Sequence, residues 1–422
     1  MAALVLPDKN QVSEPVATVS ASADVSGPAI LQVLPALNQG AGARGVIELA
    51  RHLAGRGWRA LVASSGGPGE AALGACGARC FRLPVHSRNP LTVRANARRL
   101  QRLTRDHDVR LVHAHARTPA WSACHAARRC AVPFVTTIHG VYEDARGWLK
   151  QGNHRVMARG DRVIAVSEHV AEHVKEHYGV PPGRLRVIHR GIDMSRFDPA
   201  AVERSRVDAV AEQWRVPAGA KLVLVPRMVG RKGHRLFLQA IDRLAPRDLS
   251  CLIVGSVEQA GRHAGEIEAL IGALGLGSVA RLVASCDDMA AALMLAHVVV
   301  VPCGGAAEPL ARVAVEAQAM GKPVILTDVG GLGETLMPAA TGWLVKPNDP
   351  AALADALELA LAMADEVRAR LAARARRFVN RHFSLEQTGE ATVRVYRELL
   401  EGRVPDAAGL ARSPHTPRAA FA

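Results

Sequence analysis

The chain has 422 residues, a formal net charge of +14 and an apolar share of 49%. That length exceeds what one ordinary core encloses, so two domains are expected, and no apolar run reaches the ~18 residues a membrane span needs. Seven scattered cysteines without paired CxxC spacing exclude a disulfide framework and a zinc module, and read as reduced thiols of a cytoplasmic protein.

Residues 1–28 are rich in Ser, Ala, Val and Pro and lack a basic stretch before their short apolar patch; a disordered extension is expected rather than a secretory signal. A strand follows at Ala29–Leu34, then the glycine-rich turn Gln39–Gly45, a helix over Val46–Arg56 and a strand over Arg59–Ser64. This unit implies a parallel sheet. The excess of basic residues lies in the first half, where residues 1–200 hold 27 Lys+Arg against 15 Asp+Glu. Its densest part is Arg88, Arg94, Arg98, Arg99, Arg102, Arg105 and Arg110, interleaved with Leu91, Ala95, Leu100 and Leu103. Such a helix either lies on anionic lipid or presents an ordinary solvated face. RNA ranks below both, because 4% aromatics leave few stacking platforms and no RNA module is evident.

Further strands are expected at Leu111–His113, Pro133–Ile138, Arg162–Val166 and Arg186–Ile188. His113 and His115 share one strand face without a third ligand and read as structural. The polar stretch Asp193–Gly219 reads as a linker. A second strand series runs through Lys221–Val225, Cys251–Val254, Ala280–Val283, Val298–Val301 and Pro323–Thr327. Ser384-Leu385-Glu386-Gln387 has the form of a capping box opening a last helix through Leu400. The pattern is two doubly wound α/β domains with a ligand cleft between them.

Glu308 and Glu316 stand between the strands at 298–301 and 323–327. Were the stretch wholly helical, their Cα atoms would be about 12 Å apart. A carboxylate accepts from paired sugar hydroxyls, and a helix N-terminus takes an anion, so the set suits hydroxyls at both ends of a diphosphate: a nucleotide sugar. Arg227 and Lys232 follow the first strand of the second half and can stabilise a diphosphate leaving group. His139 ends the strand 133–138, where it can bind a sugar hydroxyl or handle a proton. The bland alternatives are a solvated helix face, a basic loop and a structural histidine. Their common location past strand ends favours a site.

These segments form a larger set. They are the glycine loop 40–45, His139-Gly140, Arg190-Gly191-Ile192-Asp193 before Phe197, Arg227 with Lys232-Gly233, and Glu308-Pro309 with Glu316-Ala317. Gly321-Lys322-Pro323-Val324, Gly330-Gly331 with Glu334, and Thr341-Gly342-Trp343-Leu344-Val345 complete it. From about residue 29 to 400 the chain resembles the retaining GT-B glycosyltransferases of family 4, the "glycosyltransferase group 1" type. His113–Ala123 further resembles envelope-polysaccharide and lipopolysaccharide-core members from Gram-negative bacteria.

The resemblance implies a GT-B fold: two Rossmann-like domains facing a central cleft. It implies an acceptor-side domain at 29–205, a donor domain at 206–383, a helix at 384–402 crossing back onto the first domain, and a disordered tail at 403–422. Glu316 would hold the ribose hydroxyls and Glu308 the transferred sugar, with His139 touching that sugar. Arg227, Lys232 and the backbone amides of Leu310, Ala311, Arg312 and Val313 would clamp the diphosphate, Gly40 and Gly42 would close on it, and Gly255 would border the base and sugar pocket.

The implied chemistry is metal-independent, cofactor-free, retaining transfer from a UDP-, GDP- or ADP-sugar. The acceptor would be an anionic glycolipid or oligosaccharide, such as lipopolysaccharide core, at the inner face of the plasma membrane, without nucleic acid. Three positions depart from the pattern. The loop Gly40-Ala41-Gly42-Ala43 lacks a Glu, Leu310-Ala311 replaces Phe-Gly, and Arg190 replaces Asn. An Ala311 Cβ would crowd a phosphate if that backbone needs positive φ. A non-catalytic sugar-nucleotide binder and a nucleotide-sugar epimerase of the same fold are the alternatives.

Overall fold

The computed structural model describes residues 27–38, 40–141, 155–226, 233–244, 248–255, 261–305 and 308–402. Strands β1 (Ala29–Val33), β2 (Arg59–Ser64), β3 (Arg79–Arg82), β4 (Val109–Ala114), β5 (Phe134–Ile138), β6 (Arg162–Ala165) and β7 (Leu185–Val187) form one sheet. Strands β8 (Lys221–Val225), β9 (Leu249–Val254), β10 (Ala280–Val283), β11 (Val298–Val301), β12 (Val324–Thr327) and β13 (Gly342–Val345) form another. Helices of the first part are α1 (Ala41–Gly55), α2 (Glu70–Ala75), α3 (Pro90–Asp106), α4 (Arg117–Arg129) and α5 (Glu168–Tyr178). Then follow α6 (Arg204–Gln213), α7 (His234–Arg243), α8 (Arg262–Ala273), α9 (Met289–Leu295) and α10 (Arg312–Ala319). The last three are α11 (Pro350–Leu361), α12 (Asp365–Phe383) and α13 (Leu385–Leu400).

The sheet orders are β3-β2-β1-β4-β5-β6-β7 and β10-β9-β8-β11-β12-β13, with every pairing parallel. Helices cover both faces, so the central strands are buried on both sides and read as unbroken apolar runs; β11 is Val-Val-Val-Val. Strand order reverses between β1 and β4 and again between β8 and β11, and a ligand crevice lies beyond the carboxyl ends at such reversals. The glycine loop follows β1 and the Glu308 segment follows β11, so the topology itself sets these two motifs at switch points.

Local chemistry fixes the ends of the helices. Asn89 Oδ1 accepts from the Leu91 and Thr92 amides at 2.9 and 3.5 Å, with Pro90 in the first turn of α3. Ser384 Oγ accepts from the Gln387 amide at 3.3 Å, which starts α13 as its capping pattern requires. Residues 193–219, expected as a linker, instead fold onto the second sheet. Phe197, Val207, Val210 and Trp214 are buried in its core, and Arg206 grips Asp288 through two bonds of 2.7 and 2.8 Å.

Helix α13 crosses back onto the first sheet. Glu386 and Glu390, one turn apart, meet His52 on α1 and Arg56, the residue that ends it. Arg56 lies 2.9 Å from Glu386 and also pairs with Glu390, while His52 Nε2 lies 3.0 Å from Glu390. A Cβ at Gly389 would strike the His52 ring, so the close crossing requires glycine there. His52, Glu386 and Glu390 hold possible ligand atoms within 4.8 Å of one another. Arg56 already engages both carboxylates, which makes this an ion-pair clip between helices. Farther along, Glu398 binds Arg162 and Arg186 at 3.0 and 2.9 Å. The two chain crossings between the halves lie side by side: Ile192 donates to Phe383 O at 2.8 Å, and Leu385 donates to Ile192 O at 3.0 Å.

Candidate active site in the cleft between the two sheets

The cleft has a helix-start wall and a histidine wall. On the first, α10 begins at Arg312, so the stretch from Glu308 to Glu316 is not wholly helical, and the spacing of about 12 Å for a continuous helix does not apply. Pro309 disfavours helical backbone at residue 308. Glu308 therefore stands in the segment before the helix, and Glu316 projects from within it. Ala311, at the N-cap, has φ −90 and ψ 76; its backbone does not need glycine, and the expected crowding from a positive-φ conformation does not arise. The amides of Arg312 and Val313 belong to the first turn, which has no intrahelical acceptors and carries the positive end of the helix dipole. Leu310 and Ala311 lead directly into that turn.

Glu316 is buried at 8% exposure. Its Oε1 accepts from Arg312 Nε at 3.1 Å, and Arg312 Nη2 reaches across the cleft to Glu48 Oε1 on α1 at 3.3 Å. Arg312 Nη1 is buried without a hydrogen-bond partner. Burial pushes the Glu316 carboxyl up, and the opposing pull of Arg312, Arg44 and Arg196 does not cancel it. A raised acid favours folding most below its unfolded value and loses that contribution as pH rises through its folded value. With no ligand bound, an ionised Glu316 at neutral pH is thus a cost to the fold, as expected of a group shaped for a ligand.

The opposite wall is a cavity of about 60 Å³ at the carboxyl ends of β4 to β7, closed behind by α1 and α13. Three imidazoles line it. The His113 and His115 rings are 4.0 Å apart, and His115 and His139 are 5.9 Å apart. His113 is held at both nitrogens, by Tyr396 Oη at 2.6 Å and Thr137 Oγ1 at 2.7 Å. His115 Nε2 donates to Gln32 Oε1 at 3.0 Å. His113 thus has both nitrogens engaged and His115 at least one. His139 differs: its two ring nitrogens are buried with no hydrogen-bond partner. Burial, then Arg190, then His115 hold its pKa well below 6.5, while burial and Arg190 take His115 to about 3. A neutral imidazole donates from one nitrogen and accepts at the other, which suits a hydroxyl better than proton storage.

Arg190 lines the same cavity and remains charged at neutral pH, although burial and the neighbouring Arg312 lower its pKa to about 10. Gly45 leaves room for it: a Cβ there would lie 3.2 Å from Arg190 Nη2. The two walls meet where a Cβ on Gly140 would lie 3.8 Å from Pro309 Cγ, which brings His139-Gly140 opposite Glu308-Pro309. Gly40 caps α1 and Gly42 is in its first turn, and a Cβ at either would meet nothing within 4 Å. Gly255 follows β9, its amide donating to Val283 O at 3.0 Å, one strand removed from the β8–β11 reversal. Arg227 and Lys232 lie outside the described residues, as do 1–26 and 403–422. Sequence reasoning missed Glu48, whose only sequence signal is an acidic residue on a helix next to the glycine loop.

Two family signatures divide the chain: Glycosyltransferase Family 4 over residues 42–196 and Glycosyl transferases group 1 over 211–378. D-inositol 3-phosphate glycosyltransferase of Salinispora arenicola is 31% identical over 324 residues, covering 71% of each chain. A glycosyltransferase crystal structure from Rickettsia africae superposes with a TM-score of 0.82 at 29% identity, over 89% of this chain and 100% of that one. The Anabaena protein Alr3699/HepE in complex with UDP-glucose shares the fold, with a TM-score of 0.72 at 20% identity over 88% of this chain and 100% of that one. With both halves matched in order and a relative of that similarity across most of the chain, the protein belongs to the family 4, group 1 type glycosyltransferases and has their GT-B fold.

Proposed function

We propose that the protein moves a sugar from a UDP-, GDP- or ADP-sugar to an anionic glycolipid or oligosaccharide acceptor, with retention of configuration and without a metal ion or other cofactor. The observation that carries this reading is the buried, pKa-raised carboxylate of Glu316 inside a helix whose lead-in, Glu308-Pro309, lies against Gly140, the neighbour of the unpartnered imidazole of His139. Glu316 accepts from the ribose hydroxyls. The amides of residues 310–313, with Arg227 and Lys232, bind the diphosphate, and Gly40 and Gly42 leave space for it. Gly255 borders the base and sugar pocket. Glu308 and His139 hold the transferred sugar.

In the transfer step the acceptor oxygen bonds to the anomeric carbon on the face from which the phosphate oxygen departs. The acceptor proton passes to that departing oxygen, so no enzyme nucleophile is consumed. The cations and helix amides stabilise the charge that grows on the leaving group. Release of nucleoside diphosphate should persist in EDTA, and the product anomer, read by proton NMR, should match the donor. Inversion would refute retention, and loss of turnover restored by a divalent ion would refute metal independence. Turnover itself excludes the purely binding alternative.

Two features support an anionic acceptor. Arg190 places a cation in the first-domain wall of the cleft. Replacing it with Asn should raise the acceptor KM about tenfold or more, in keeping with loss of a charge-assisted contact, and leave the donor KM nearly unchanged. An equal rise in both would assign Arg190 to the donor instead. The second feature is α3, on which Arg94, Arg98, Arg102 and Arg105 are exposed along one face and Leu91 is 79% exposed near the start. Among the described residues no helix is long and apolar enough to cross a membrane, so this face is the proposed contact with the inner leaflet from a cytoplasmic location. Sedimentation with anionic vesicles should be lost at high salt and in the variant R94E/R98E/R102E. Salt-insensitive binding would contradict the electrostatic contact.

A further inference from the structure

Glu334 stands in a short 3-10 turn, Leu332–Thr335, that follows β12 in the second sheet. Its side chain is 9% exposed, and its carboxylate accepts three hydrogen bonds. Oε2 accepts from the Glu168 amide at 2.7 Å and from His189 Nε2 at 2.9 Å, and Oε1 accepts from the His169 amide at 2.8 Å. Every one of these donors belongs to the other half of the molecule. Glu168 and His169 open α5, and His189 follows β7. Ser167 already caps α5 from within its own half, through the Val170 amide at 3.1 Å. The second cap therefore comes from across the cleft.

The segment carrying Glu334 also holds the Glu308 loop. Gly330 has φ 56 and turns the chain back, and the Gly331 amide donates to the Glu308 carbonyl at 2.9 Å. A Cβ on Gly331 would collide with the Pro309 carbonyl and lie 3.2 Å from Ser167 Oγ. On the far side, His189 precedes Arg190 and stands three residues before the paired crossing at Ile192 and Ser384. One short segment thus touches Glu308's backbone at one end and the hinge side of the first domain at the other.

We infer that Glu334 is a positioning residue: it clasps the two halves in the arrangement that sets Glu308-Pro309 against His139-Gly140, and so acts on sugar transfer rather than on nucleotide binding. The inference rests on the proposed roles of Glu308 and His139. Its physical basis is that the three donors can turn to water when the cleft is open, so the carboxylate favours the closed arrangement selectively. Burial pushes the Glu334 carboxyl up, yet the bonds from His189, His169 and Glu168 outweigh it and hold it below the ordinary Glu value, so the clasp is ionised at neutral pH.

The test compares wild type with Glu334→Gln, Glu334→Ala and His189→Ala in the full chain, using whichever nucleoside diphosphate sugar wild type turns over. Glu334→Gln keeps the volume and one acceptor oxygen but turns an amide donor toward the second helix amide. Expected are a kcat about tenfold or more lower, a nucleoside diphosphate Kd within about twofold, and loss of the donor-induced fall in radius of gyration that wild type is expected to show by X-ray scattering. His189→Ala added to Glu334→Ala should cost less than it does alone, because both remove one contact. A merely structural cap would lower the urea midpoint while kcat per folded molecule and donor-induced compaction stayed at wild-type values, and that result overturns the inference. Absence of turnover and nucleotide binding in wild type would sink the functional reading itself. Normal wild-type behaviour with unaffected variants would sink only the clasp.

Discussion

Glu308→Gln is expected to lower kcat about a hundredfold or more while nucleotide affinity stays nearly unchanged. The substitution keeps shape and removes charge at the residue next to Pro309, which meets Gly140 across the cleft. Glu308 precedes α10 rather than belonging to it, and its carbonyl is fixed by the Gly331 amide, so the loop should keep its path when only the carboxylate changes. A carboxylate beside the anomeric centre accepts from sugar hydroxyls and stabilises positive charge as the bond to phosphate breaks. Loss of one such preorganised group typically costs about a hundred- to a thousandfold in rate. Nucleoside diphosphate release measures kcat, and calorimetry with the nucleotide measures affinity. A variant that turns over normally would remove Glu308 from the chemistry, and one that loses nucleotide would make it a donor-domain structural residue.

Replacement of Glu316 should move stability and binding in opposite directions. Glu316→Gln removes a carboxylate that is unfavourable to ionise where it is buried, so the unliganded variant should melt above wild type at neutral pH. The gain should shrink as pH falls through the raised pKa of Glu316, because the wild-type group is then protonated too. Nucleotide affinity should fall about a hundredfold, since two hydroxyl bonds to a charged acceptor are each worth about 1.5–3 kcal/mol and an amide replaces them incompletely. In wild type, nucleotide binding should weaken on acidification at a higher pH than an ordinary Glu would give. Scanning calorimetry across pH, with and without nucleotide, measures all three. A variant less stable than wild type at pH 7 would mean that the ion pair with Arg312 outweighs the cost of burial.

The parts of this fold visible in the sequence are those fixed by local pattern. β11 is an uninterrupted apolar run because it is buried on both faces, and the last helix opens where Ser384 and Gln387 meet. β3 was not visible, because Arg79–Arg82 is a four-residue edge strand with only Phe81 buried. The stretch 193–219 looked like a linker because its buried residues, Phe197, Val207, Val210 and Trp214, are separated by long polar runs. Where α10 starts was not fixed by the sequence, because Glu308–Ala317 contains good helix formers. Pro309 disfavours helical backbone at Glu308, and the helix itself begins only at Arg312.

The candidates Glu308, Glu316 and His139 could be named from the sequence because each stands past a strand end. What could not be read were pairings between distant segments. Arg312 meets Glu48 from 264 residues away, His113 meets Tyr396 across 283, and Glu334 reaches α5 across 165 and 166. No local spacing encodes such contacts. They exist because α13 returns to the first sheet and the two halves touch across the cleft.

The most direct measurement is a thermal-shift panel of UDP-, GDP- and ADP-sugars against wild type and Glu316→Ala. A ligand that binds only the native state raises its melting temperature. The expected result is a rise with one nucleotide class that disappears in Glu316→Ala, which would place the donor on α10 and name its base. A rise of equal size in both proteins would put the nucleotide elsewhere and contradict the site.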